Sequence, residues 1–138
     1  VFVAHSLKVN GTEMLNYALE WDDTKKHSSW VAFSFDATTR VAGDGVGRKD
    51  KFIVDPLLPE AMQVTDAHHK SDGFDRGHIC GSADRLFTQE ANDQTFYFSN
   101  MSPMIHSFNS PYWAEFEEQV RKWGGRQWKK VIIAGRIL

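Results

Sequence analysis

The chain has 138 residues, a length that suits one compact domain with a sizeable core rather than two. Hydrophobic residues make up 41% and charged residues 25%, an ordinary globular balance, and no apolar run reaches bilayer length, so no membrane partner is expected. The formal net charge of −2 argues against a passive binder that holds nucleic acid by neutralising phosphates, but leaves room for an enzyme with a few cations placed in a cleft.

Residues 1–24 mix apolar and polar side chains, with Met14, Leu15, Tyr17, Leu19 and Trp21 loosely alternating, and predict one or two strands. The start, Val1-Phe2-Val3-Ala4-His5, lacks the basic and apolar regions of a signal peptide, so any export signal is expected to have been removed or never to have existed. Trp30 to Phe35 is a β-rich run bounded by polar residues and reads as a strand. Thr38 to His69 is rich in Gly, Asp, Lys and Pro, too long for a simple turn, and a long loop in a compact domain is often functional. Gly73 to Cys80 reads as a short strand carrying charged residues, Ala83 to Ala91 as a helical turn or two, and Thr95 to Asn100 as a further strand. The spacing predicts a helix over 111–123, with Ser110 as N-cap, Pro111 in the first turn, Trp113, Phe116, Val120 and Trp123 on one stripe, and Gly124 at its end. Val131 to Gly135 reads as a buried strand. The order strand, strand, helix between 73 and 124 is the feature that bears on chemistry.

Hydrolysis of a phosphodiester needs a base for the attacking water and positive charge for the developing phosphorane. A neutral histidine suits the first, and a hard divalent cation with oxygen ligands, joined by an arginine, suits the second. In Asp75-Arg76-Gly77-His78 the arginine and histidine stand two residues apart, on one face of a strand. Taken alone, this segment reads more readily as a surface strand with a solvated Asp75–Arg76 ion pair. Downstream, Asn109 stands at the mouth of the predicted helix, where its amide oxygen can reach a cation. Glu117 lies about 80 degrees further round, within reach through a water. Helix capping for Asn109 and a solvated face for Glu117 are the plainer alternatives.

The segments Asp75-Arg76-Gly77-His78-Ile79-Cys80-Gly81-Ser82-Ala83-Asp84-Arg85 and Phe98-Ser99-Asn100-Met101-Ser102-Pro103, continued by Asn109, Trp113 and Glu117, resemble the DNA/RNA non-specific endonuclease family over roughly residues 30–138. The active site of that family is a ββα-metal, or His-Me finger, motif. The resemblance implies an α+β fold with a mixed or antiparallel sheet and helices, and a sugar-non-specific endonuclease that hydrolyses DNA and RNA. It implies His78 as the base, Arg76 on the scissile phosphate, Asn109 as the direct ligand of one magnesium ion (manganese being the alternative), Glu117 on a metal-bound water, and Asn100 orienting the histidine through its main chain. Arg48, in the preceding loop, is the expected further phosphate contact. A secreted or periplasmic location is expected, although this chain carries no signal peptide.

Two departures stand out. Gly81 replaces a proline common in the family and should loosen the turn. The chain also stops at 131–138, where relatives continue, so a single domain over 1–138 is expected to lack the family's C-terminal portion, and a fragment carrying that portion would be a partner. A zinc site from His68, His69, His78 and Cys80 is disfavoured because no C-x-x-C or H-E-x-x-H spacing is present. Cys80, with no identifiable base, reads as a packing residue, and Trp113, Trp123 and Trp128 as core rather than base-stacking residues. Against the enzyme stand a catalytically silent binding module on the same scaffold and a fragment that folds only with its missing half. The sequence leaves the oligomeric state open.

Overall fold

The structure, a computed structural model, describes residues 1–64, 75–104, 106, 108–123 and 131–136, and the side chains of 75, 108 and 131–136 lie outside that description. His68, His69, the Gly73-Phe74 end of the expected strand, Gly124 and Trp128 fall outside it as well.

The N-terminal third forms a meander. β1 (Phe2–Val9) and β2 (Thr12–Asp22) pair antiparallel around Asn10-Gly11, whose positive φ values of 51° and 79° give the turn the twist that a two-residue hairpin needs. β3 (His27–Phe35) pairs with β2 across a turn in which the Asp22 carboxylate accepts the N–H groups of Thr24 and Lys25. β6 (Val131–Arg136) adds antiparallel to β3, giving a four-stranded sheet ordered β1-β2-β3-β6. Along β1 burial alternates, with Val3, His5 and Leu7 turned inward.

The inner face of this sheet supplies Val3, Tyr17, Leu19, Trp21, Val31, Phe33 and Phe35 to one core. Its opposite wall is Leu58, Val64, Ile79, Cys80, Phe98, Met104 and Val120, so the elements bearing the candidate site are the sheet's packing partner. That half contains a two-stranded antiparallel ribbon of β4 (Asp75–His78) and β5 (Met101–Met104), and the helices α1 (Gln89–Gln94) and α2 (Ala114–Lys122).

Three expectations are corrected. Thr95 to Asn100 is not a strand. Tyr97 makes a single bridge to Ile53, Phe98–Asn100 is a 3-10 turn, and the paired strand starts at Met101. The reason is local: the N–H groups of Thr95, Phe96, Tyr97 and Asn100 bond back to the carbonyls of Asn92, Asp93, Gln94 and Tyr97, while Ile53 pairs only with Phe96 O and Phe98 N–H. The helical turns expected over 83–91 are found at its two ends, as a 3-10 turn at Ser82–Asp84 and as α1, which Thr88 caps and which runs on to Gln94. Ser110 is not an N-cap, because helical winding already begins at Phe108 as a π-helical stretch to Trp113, with Pro111 inside it. Pro111 has no N–H to give the α-helical register, and a wider turn accommodates it. The apolar stripe is only half core: Val120 is buried and Trp113 half-buried, but Phe116 and Trp123 are 47% and 39% exposed.

Candidate active site

His78 ends β4, opposite Met101. Phe96 meets its ring edge-on at 4.8 Å between centroids, and Phe52 lies at 6.2 Å. Burial against this aromatic wall, with the Arg48 guanidinium second, pulls the imidazole down from its ordinary 6.5 to about 4. The ring is therefore neutral at physiological pH. Its Nε2 is sealed from solvent with no hydrogen-bonding partner among the described residues.

Arg76 lies two residues back on the same strand, with its guanidinium carbon 4.7 Å from the Phe52 centroid and 5.8 Å from that of Phe98. Arg48 sits over Phe96 at 5.4 Å and pairs with Asp50. Phe52, Phe96 and Phe98 thus carry two arginines and the histidine on one aromatic platform, which holds the guanidinium planes while leaving charge near the imidazole. The loop that brings Arg48 and Phe52 here is tied down by a buried network. Asp55 accepts from Ser99 Oγ and the Leu57 N–H, and it pairs with His5 Nε2 at 2.7 Å. Burial works to raise the Asp55 carboxyl, but His5 and these donors together hold it below the usual range.

Asn100 is fully buried and fixes the backbone just beyond His78. Its main-chain carbonyl accepts from Ile79 N–H at 2.9 Å. Its side chain also accepts from Cys80 N–H at 2.8 Å and donates to the carbonyls of Cys80 and Thr95, each at 2.9 Å. The expectation named only the main chain; the carboxamide contributes more bonds than the carbonyl does. Burial pushes the Cys80 thiol up to about 12, which suits a packing residue.

Asn109 is half-buried in the π-helical stretch, a type of turn that recurs at functional sites. One turn on, the Trp113 indole N–H donates to the carbonyl of His78 at 2.8 Å. That bond docks the helix beside the strand that ends at His78, and Glu117 stands one turn further along. Glu117 is raised from 4.5 to about 7, by burial first and by the Asp84 carboxylate second. Asp84 is itself raised by burial, although Arg121 pairs with it at 2.9 Å.

The Gly81 departure now has a physical meaning. Its φ of −67° and ψ of 144° are accessible to proline, so the backbone does not demand glycine. A β-carbon there would lie 2.8 Å from Asp84 Oδ2 and 3.3 Å from Glu117 Oε2, so glycine gives these carboxylates room. Arg85, by contrast, is 0% exposed, bonded to the carbonyls of Asp84 and Ser34 and stacked on Phe33. It serves packing rather than substrate.

As donors, Asn109 and Glu117 offer hard oxygen, the chemistry that suits magnesium or manganese. Among the described residues no three His, Cys, Asp or Glu converge as a metal cluster. A cation at Asn109 would not need such a cluster, because magnesium commonly keeps few protein ligands and completes its shell with water and phosphate. Sequence reasoning missed the platform of Phe52, Phe96 and Phe98 and the Asp84–Gly81 contact with Glu117. The one available signal was Phe52, the single Phe, Tyr or Trp between Thr38 and His69.

A ββα unit with a histidine at the end of its first strand and an asparagine at the entry to its helix defines a nuclease of the ββα-metal class. The chain belongs to the DNA/RNA non-specific endonuclease family, which it matches over residues 2–136, including the N-terminal meander that the sequence motifs left out. It is 40% identical to Nuclease C1 of Cunninghamella echinulata over 107 residues, 76% of this chain and 42% of that protein. It is 32% identical to human mitochondrial Endonuclease G over 106 residues, 77% of this chain and 35% of that protein. The crystal structure of EndoG in its complex with EndoGI superposes with a TM-score of 0.80 at 25% identity, covering 96% of this chain and 52% of that one. The chain thus spans less than half the length of these curated relatives, some of which are mitochondrial by name.

Proposed function

We propose that this chain carries the catalytic unit of a metal-dependent endonuclease that cuts the sugar-phosphate backbone of DNA and RNA. The observation that carries the reading is the hydrogen bond from Trp113 to the His78 carbonyl, which ties the helix bearing Asn109 and Glu117 to the strand bearing the base. Because Nε2 is sealed from solvent, the nitrogen of His78 that takes the proton from water is Nδ1. An imidazole near 4 is a weak base, and the negative phosphodiester bound beside it raises its proton affinity toward the useful range. Arg76 and Arg48 hold non-bridging phosphate oxygens from the aromatic platform and offset the charge that grows in the transition state. Asn109 would hold magnesium directly and Glu117 would hold it through water, and the ion when bound supplies Lewis-acid charge neutralisation at the phosphate. Asn100 keeps the end of β4 in place.

Contacts to phosphate carry no base information, which supports weak sequence preference and acceptance of both nucleic acids. For location we propose confinement away from the cytosol, by secretion or in a periplasm. An indiscriminate nuclease needs such separation, and the mitochondrial names among its relatives fit the same need.

Plasmid nicking tests the reading. Nicking is expected with magnesium and not with a chelator, and it should fall at least 100-fold in His78→Ala, the scale of a lost general base. Asn109→Ala should weaken magnesium use, and Glu117→Ala should do so less. Plasmid that is bound but never cut would favour a silent binding module instead.

A further inference from the structure

Beside the site, Lys49, Lys51, Ile53, Asp93 and Phe96 line a cavity of about 280 Å³. Phe96 is the shared wall: the same ring that meets His78 edge-on bounds this cavity. The loop divides its residues between the two places. Arg48, Asp50 and Phe52 face the histidine, through charge in the first two and ring contact in the third. The alternate residues Lys49, Lys51 and Ile53 line the cavity. Ile53 is pinned there by its bridge to Tyr97, so the two lysines project from a fixed backbone.

We propose that this cavity is a second phosphate subsite, in which Lys49 and Lys51 hold a backbone phosphate of the nucleic acid next along the strand from the one that is cut. The inference rests on the nuclease reading and deepens it. The size is near the lower end for small-ligand clefts, about 300 Å³, and fits a sugar-phosphate unit. A stacked base is excluded because Phe96 is only 1% exposed. The side chains of Lys49 and Lys51 are exposed point charges, suited to a mobile phosphate rather than to a structural pair. Asp93 is the one acid in the cavity, 3.9 Å from Lys49, and holds that lysine loosely until phosphate displaces it. Net charge elsewhere is unfavourable, so a local pair of cations beside Arg48 is where a polyanion gains most.

The test is binding, not turnover. A fluorescein-labelled DNA duplex of about 20 base pairs is titrated with the chain in EDTA, with anisotropy read across a salt series. Lys49→Ala/Lys51→Ala should weaken binding roughly tenfold at about 50 mM salt and reduce the slope of log K against log salt by about 1.8, two phosphate contacts' worth. Asp93→Asn, which keeps the oxygen that accepts from Gln89, should bind more tightly. Lys25→Ala/Lys26→Ala, the same charge change on the exposed β2–β3 turn, should leave the slope as it is. An unchanged slope in the Lys49/Lys51 variant, an equal loss in the Lys25/Lys26 control, or no binding by the parent chain overturns the subsite. Failure of magnesium-dependent nicking would sink the nuclease reading separately, since this titration asks only for binding.

Discussion

Removing the Asn100 carboxamide puts the β4–β5 corner to the sharpest trial. Asn100→Ala deletes the acceptor for Cys80 N–H and the donors to the Cys80 and Thr95 carbonyls, at 2.8, 2.9 and 2.9 Å, in a residue that is 0% exposed. Each buried group left unsatisfied costs about 1–3 kcal/mol, and because two of the three are carbonyls, which tolerate a lost partner better than an N–H does, the lower end of the sum, about 3–5 kcal/mol, is expected. A domain of this kind has about 5–15 kcal/mol in all, and the melting temperature should drop by about 10–15 °C. Asn100→Asp separates hydrogen bonding from volume. It keeps an acceptor for Cys80 N–H but turns a carboxylate toward two carbonyl oxygens, so its folded pKa lies above the unfolded one. The penalty is then absent below the unfolded pKa, near pH 4, and appears as pH rises through the folded value. Urea denaturation of wild type and both variants, followed by tryptophan fluorescence from about pH 4 to 8, reads this out directly. A loss below about 1 kcal/mol in Asn100→Ala, or an Asp penalty that does not change with pH, would refute the clamp.

Other consequences are equally open to measurement. Trp113→Phe keeps the packing but removes the donor to the His78 carbonyl, and should cost about 1–2 kcal/mol of stability and lower kcat more than it raises KM; unchanged kcat would mean the helix is docked by other contacts. Because His78 is lowered to about 4, the acid limb of kcat/KM should lie well below pH 6.5. The same shift makes the folded state bind fewer protons, so His78 contributes a loss of stability as pH falls from 6.5 toward 4, up to about 3 kcal/mol, and His78→Phe should abolish that slope. Gly81→Ala introduces no backbone strain at φ −67° but crowds Asp84 Oδ2, and should destabilise by about 1–2 kcal/mol. In an Asp84→Ser background the same change should be nearly neutral, and a double-mutant cycle with no coupling would contradict the close approach.

The motif segments were legible because their chemistry is local. Arg76 and His78 share a strand face by the period of two, and the family pattern from Asp75 to Glu117 sits in a chain order that the fold preserves. The alternating burial of the N-terminal strands was equally available to a reading of periodicity. Where expectation and structure part, the cause is which partners the backbone and the apolar faces find, and composition does not name them. Phe96 to Phe98 has the composition of a strand, yet the N–H groups of Phe96 and Tyr97 bond back to Asp93 and Gln94, which leaves a single bridge to Ile53, more than forty positions away. Phe116 and Trp123 repeat with helical spacing, which says that a face exists but not what covers it.

What the sequence determined by itself was an inventory and its order: a histidine, an arginine, an asparagine and a carboxylate, on strand, strand and helix. Only the tertiary structure decided the surroundings that set their properties. The imidazole is driven to about 4 by rings from residues 52 and 96, and Glu117 is lifted to about 7 by burial and Asp84, because desolvation and charge act through space and leave no periodic trace along the chain.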